Sequence, residues 1–566
     1  MSPNRPRTVS SLVAPLLAAA LAVPAGACAA SPSAATGGDA LRTTVEKRLL
    51  GDRTGACFAV AVIDGTGDGD FDVRRTFACA DGSTAPRIGP ASAFEIGSVT
   101  KTMTAALLAG LIEAGQADLD DPLAGYLPGD VRVPTFEGQP VRLRHLVTHT
   151  SGLPALPPGV EMSDPTDPYA AITADDLLAA LGRSTLAQAP GERFEYSNFA
   201  SMLLSYAIAR RAGEDLETLL DTRVFTPLGM GGAYINDRPQ GIEEAAGHLP
   251  SGKVTPAWRF RTDLAGVGGV RATLDDMVAY VRGQLGAAPE PLAAAIGLTQ
   301  QPLSTPSAQP IAMNWMLAPL DGRTVHAHEG GTGGFSSFVA FDRERRRGVI
   351  VLSDTAMTTL GGLGSLGQHL LDARLPLGAP RKATAAPPTL IEALVGDWQL
   401  QGGPAMTLRR NGDALEIQAT GQPAFAMGYD SAGDFYPLAF DALLSPQKGA
   451  DGSYRFVWHQ GGGVLAARRI DANADAAPTL TAEALEAYAG EYPLDPTDLV
   501  LSVRVQGDAL FAQATGQGAF PLTPVKDDVF EAAAYGIEIR FRRGDDGAVD
   551  GLTLLQGGQT LRGVRR

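Results

Sequence analysis

The stretch "FEIGSVTKTMTAALLAGLIEAG", residues 94–115, decides how the rest of the chain is read. Its apolar residues fall on every side of a helical turn, which predicts a helix too hydrophobic to face water. Its first turn nevertheless holds Ser98 and Lys101, a hydroxyl and an amine three residues apart and so on one helical face. Burial disfavours the ammonium form of a lysine, and the same effect lowers its pKa toward that of a base. A serine hydroxyl becomes a nucleophile once a neighbouring base takes its proton. At a helix start Ser98 also presents its own N–H, with the positive end of the helix dipole behind it. The pair is a candidate nucleophile and base. Ser-x-x-Lys alone recurs by chance in many proteins, so further pieces are needed.

Two more pieces follow in the chain. In "PGERFEYSNFASMLLSYAIA", residues 190–209, Tyr196, Ser197 and Asn198 occupy a tight connection ahead of another apolar helix. In "VHAHEGGTGGFSSFVAFD", residues 325–342, His328, Glu329 and Gly330 open a glycine-rich turn into an apolar strand. Glycines there let one backbone approach another closely. His326 is read as an ordinary strand neighbour, and His145 and His149 as structural rather than catalytic.

Taken together and in this order, the three pieces resemble the serine β-lactamase and penicillin-binding-protein family, in its class C, D-Ala-D-Ala carboxypeptidase and D-aminopeptidase branch. "LRHLVTHTSGLP" from Leu143, "VFTPLGM" from Val224 and "GVGGVRATLDDMVAYV" from Gly266 extend the similarity. The resemblance implies an α/β catalytic domain, an antiparallel sheet flanked by helices with an all-helical subdomain. It implies Ser98 as the acylated nucleophile, Lys101 as its base or proton relay, and Tyr196 as the phenol that passes the serine proton to the leaving group. Asn198 would bond Lys101 and the substrate amide, and His328 and Gly330 would border the substrate. The N–H groups of Ser98 and Gly331 would form the oxyanion hole. Where many β-lactamases carry lysine in the third motif, this chain has His328, mostly neutral at pH 7. That weakens a specialised antibiotic hydrolase and leaves peptidase or esterase chemistry on small peptides, amides or esters. The intact motifs argue against the alternative of a non-catalytic penicillin-binding or scaffolding protein.

The remaining sequence bounds the setting. A chain of 566 residues exceeds what one core usually supports. A formal net charge of −16 argues against nucleic acid as a partner, and no cofactor or metal is expected, since seven scattered histidines form no ligand cluster. The G-x-S-x-G elbow of another hydrolase class is absent, and "GTGDGD" at Gly65 reads as a hairpin turn rather than a phosphate loop. Residues 1–30 run from arginines through an apolar stretch to small residues, the order of an export signal, so a periplasmic or secreted product is expected. Cys28 follows small residues as in a lipidation site; the leucine usual three positions earlier is missing, which favours a soluble product. No other stretch is long and apolar enough to span a bilayer. Cys57 and Cys79 flank a predicted hairpin, and an oxidising compartment would join them as a disulfide.

Residues 41–375 are assigned to the hydrolase domain and 376–390, rich in proline and alanine, to a linker. Beyond it the chain repeats itself: "GDALEIQATGQPAF" from Gly412 matches "GDALFAQATGQGAF" from Gly507. Short alternating strands between Gly and Asp turns predict two small antiparallel barrels, at 391–470 and 481–566, joined by a linker at 471–480. The resemblance implies lipocalin-like barrels, as in D-aminopeptidases of this family, where one barrel lends a loop to the active site. Filled interiors are expected for barrels this short.

Overall fold

A computed structural model describes residues 37–566, apart from residues 68, 161–163, 165, 187, 304–309, 402, 450–451, 461–462, 471–479, 496–498, 508, 515–518, 533–536, 545 and 557–558. The expected export signal, Cys28 and most of the second linker lie outside the described residues. The chain divides into two units, one running through Ala383 and one starting at Thr384.

The first unit is built on a six-stranded antiparallel sheet. Its strands are Cys57–Gly65 (β1), Phe71–Cys79 (β2), Met316–Leu320 (β3), Arg323–Gly331 (β4), Ser336–Asp342 (β5) and Arg347–Ser353 (β6), in the order β3-β4-β5-β6-β1-β2. β1 is buried over its first seven residues because neighbours cover both its edges, whereas β2, at the margin, is half exposed. The hairpin aligns Cys57 with Cys79, and the two form a disulfide.

Of the helices Gly37–Leu49 (α1), Thr100–Glu113 (α2), Leu143–Val147 (α3), Asn198–Ala212 (α4) and Gly364–Leu371 (α5), α1 and α5 pack on the sheet, and α2 and α3 each pack against α4. In α2 every residue from Thr100 through Ala109 is buried, which explains its lack of a polar face. Its threonines are satisfied internally: Thr104 Oγ1 donates to Gly266 O at 2.9 Å, and Thr102 Oγ1 meets the Tyr280 hydroxyl at 2.8 Å. An otherwise apolar helix therefore lies in the interior without stranded hydroxyls.

The second unit holds two eight-stranded antiparallel barrels. The first runs from Gly396–Leu400 to Gly463–Arg469 and closes by pairing Phe425–Asp430 with Phe435–Pro437; the second closes from Gly490–Asp495 to Gln559–Val564. The sequence repeat is a structural repeat. Asn411 pairs Ala414 across a turn at Gly412, as Gln506 pairs Ala509 across Gly507. Leu415 and Leu510, at matching places, are both fully buried. Part of the stretch read as a linker has structure: Pro388–Leu394 is helical and sends Leu390, Ile391 and Leu394 into the first barrel's core. Proline at the helix start and leucines one turn apart account for it. Among the described residues, no helix is long and apolar enough to cross a membrane.

Candidate active site

Ser98 sits in a short turn, Gly97–Val99, immediately before α2. The turn is held from two sides. Ser92–Glu95 pairs with Arg271–Ala272, and Ile96 N–H donates to Val270 O at 3.1 Å. On the other side β4 comes so close that only glycines fit. Gly97 has φ +50° and a Cβ there would lie 2.6 Å from Gly331 N, while a Cβ on Gly330 would collide with Ile96 O. These contacts bring the Ser98 and Gly331 main chains together, the pair expected to form the oxyanion hole.

Lys101 is fully buried. Its Nζ donates to Ser98 Oγ at 2.8 Å and to Val267 O at 2.6 Å. Among the described residues no carboxylate pairs with it. Desolvation therefore holds its pKa well below that of an ordinary lysine. A free amine in this position keeps a lone pair for the serine proton.

Tyr196 lies just before α4, whose N-cap is Ser197. Burial raises its pKa, opposed by a hydrogen bond with Ser98, so the phenol is protonated in the resting protein. Lys101 Nζ is 5.1 Å from the centre of its ring. Asn198 departs from expectation: its Nδ2 donates to the Tyr169 hydroxyl at 3.2 Å rather than serving Lys101, and its Oδ1 is buried without a partner. The His328 ring donates from Nδ1 to Glu329 O at 2.7 Å, leaving Nε2 as an unpartnered acceptor. Burial pushes the His328 pKa down to about 3, so the imidazole is neutral at pH 7.

Ser98, Asn198 and Gly331 border a cleft of about 230 Å³, mouth included, together with Tyr169, Trp258 and Phe260. The sequence reading missed these three aromatics. They sit in irregular segments, Tyr169 stacks on Phe260 at 4.9 Å, and no spacing announced them. Val267 was missed for another reason, because a main-chain carbonyl carries no residue signature. His145 is structural: its Nδ1 accepts from Arg142 N–H at 3.1 Å and so caps α3. His326 bonds Gln300 O at 2.9 Å and stacks on Phe341 within the strand layer. Among the described residues no His, Cys, Asp and Glu cluster could hold a metal.

Comparison with known proteins adds to this geometry. Residues 44–361 match the family model described as Beta-lactamase, and residues 474–564 match a domain of unknown function, DUF3471. The D-alanyl-D-alanine-carboxypeptidase/endopeptidase AmpH of Escherichia coli (strain K12) is 29% identical over 280 residues, covering 46% of this chain and 70% of AmpH. A beta-lactamase of Pseudomonas fluorescens is 30% identical over 298 residues, covering 46% of this chain and 79% of that protein. Among solved structures, a beta-lactamase/D-alanine carboxypeptidase from Yersinia pestis complexed with citrate is 26% identical, with a TM-score of 0.46, covering 56% of this chain and 94% of that one.

Proposed function

The chain belongs to the Beta-lactamase family of serine hydrolases through residues 44–361, and on that premise we propose that it cleaves small peptides, amides or esters through an acyl-enzyme on Ser98. D-configured or cell-wall-derived peptides are the substrate class we favour. The observation that carries the reading is a buried amine without a carboxylate, 2.8 Å from a serine hydroxyl.

Lys101, as free amine, takes the proton as Ser98 Oγ attacks the substrate carbonyl. The negative charge that develops on the carbonyl oxygen is met by the N–H groups of Ser98 and Gly331. Tyr196 hands its proton to the departing amine or alcohol as the C–N or C–O bond breaks, and the serine proton held on Lys101 passes on to restore the phenol. Water then attacks the acyl carbon, gives its proton back through the same groups, and frees Ser98. Asn198 Oδ1, buried and unpartnered, is available to accept a substrate N–H.

The neutral imidazole of His328 offers no fixed positive charge to a substrate carboxylate. This supports amides and esters over substrates defined by a free terminal carboxylate. The order of residues 1–30 supports action in the periplasm or the secreted space.

The test combines a fluorophosphonate probe with a substrate panel on the purified protein. Ser98→Ala is expected to abolish labelling and turnover while keeping the fold. D-amino-acid p-nitroanilides are expected to show a higher kcat/KM than nitrocefin or short-chain esters. Preference for nitrocefin would make the protein a β-lactamase, and for esters alone a carboxylesterase. Absence of labelling in the wild type would leave a non-catalytic binding protein.

A further inference from the structure

We propose that His149 is a positioning residue that clamps Tyr196 in register with Ser98. The proposal rests on the reading of Tyr196 as the proton carrier.

His149 is fully buried and adopts φ +53°, a left-handed conformation uncommon for any residue but glycine. That turn of the backbone lets one residue hold three consecutive neighbours. Its carbonyl accepts from Glu195 N–H at 2.7 Å, and its ring Nδ1 accepts from Ser197 N–H at 3.2 Å. Between those two bonds its imidazole stacks on the Tyr196 ring, with centres 4.2 Å apart and planes 29° from parallel. The main chain is thus fixed on each side of Tyr196, and the ring is fixed face-on.

Holding α4 in place does not require this arrangement. Ser197 Oγ already caps the helix by accepting from Ala200 N–H at 3.0 Å, and it donates to Pro154 O at 2.7 Å. Asn198 N–H donates to Ala155 O at 2.9 Å. Among these contacts, only the imidazole touches the phenol ring. A side chain in a rare backbone conformation whose distinctive contact is with a reacting residue marks a position selected for geometry at the site.

The clamp also has a required chemical state. Nδ1 can accept from Ser197 only as the unprotonated nitrogen, so the ring must be neutral with its proton on Nε2. Burial disfavours protonation of His149, and Nε2 lies buried with no partner.

A double-mutant cycle on the full chain tests the clamp, reading kcat and KM on the best substrate of the panel. His149→Gly, which accepts a positive φ without strain, is expected to lower kcat by about 10²-fold, the scale of a misplaced reacting group, with KM changed less than about threefold. His149→Asn, tolerant of the same φ, is the second variant should the glycine form fold poorly, and is expected to lose kcat in the same direction. In a Tyr196→Phe background either substitution should add at most about twofold, because the group it positions is gone. Losses that multiply across the cycle, a loss confined to KM, or an unchanged kcat in both His149 variants would overturn the clamp. An unchanged kcat in Tyr196→Phe alone would instead overturn the proton-carrier reading from which it proceeds.

Discussion

The hydrolase unit and the barrels treat buried polar groups in opposite ways. In the barrels, Trp398 Nε1 donates to Leu394 O at 2.9 Å, the Tyr492 hydroxyl to Tyr488 O at 2.8 Å, and the Tyr488 hydroxyl to Asp528 at 2.9 Å. Around Ser98, by contrast, Lys101 has no carboxylate, and His149 Nε2, Asn198 Oδ1 and His328 Nε2 are buried without partners. Among the described residues, all such orphaned side-chain atoms lie between Arg48 and Arg347. An unsatisfied buried group costs about 1–3 kcal/mol, and the first unit carries such groups both beside Ser98 and at remote positions such as Gln284 Nε2 and Trp315 Nε1. Among the described residues of the barrels, no buried side-chain polar atom lacks a partner.

The sharpest break of this contrast is Lys101→Met, which removes the amine while filling its space. Loss of a general base should lower kcat/KM by about 10²–10⁴-fold. Stability should move the other way. The folded pKa of Lys101 lies below its unfolded value, so between the two the unfolded state binds more protons and stability falls as pH drops. Methionine carries no such penalty. The thermal midpoint at pH 7 should be equal to or above wild type, and a clear drop would mean that the amine stabilises the fold.

In the barrels the same kind of substitution should act only on stability. Leu415→Ala and Leu510→Ala, each in a fully buried position, should cost about 2–5 kcal/mol in denaturant unfolding of the second unit. Hydrolysis of a short ester at 25 °C should be unchanged. A loss present in one repeat and absent in the other would break the equivalence of the two barrels.

Separating Cys57 from Cys79 by Cys→Ser substitution should destabilise the first unit by about 2–4 kcal/mol. Thiol titration of the native protein should find neither cysteine free, and two reactive thiols would count against the bridge.

The smallest effect is expected at Glu329, on the strand beside His328. Burial raises its pKa to about 7, opposed by a hydrogen bond from Gly364 N–H. The folded state therefore binds more protons than the unfolded state between pH 4.5 and 7, and stability declines as pH rises through that window. Glu329→Gln should flatten that decline without changing stability below pH 4.5. An identical pH profile in both proteins would place the titration elsewhere.

Much of the chemistry is legible in the order of residues alone. Ser98 and Lys101 meet because three residues make nearly one helical turn, and Cys57 and Cys79 because a hairpin aligns its ends. The barrels announce themselves as a repeat with glycine at both turns. Each of these signals is local, carried by backbone periodicity or by turn chemistry. Asn198 marks the limit, because its place is legible and its partner is not.

What the sequence by itself determined, then, is which residues share a turn, a hairpin or a repeat. The tertiary structure alone decided that Val267 offers its carbonyl to Lys101, that Tyr169 takes the amide of Asn198, and that His149 grips Tyr196. Those partners come from segments far apart in the chain. Their meeting depends on how whole elements pack and how loops close, and neither leaves a spacing to read.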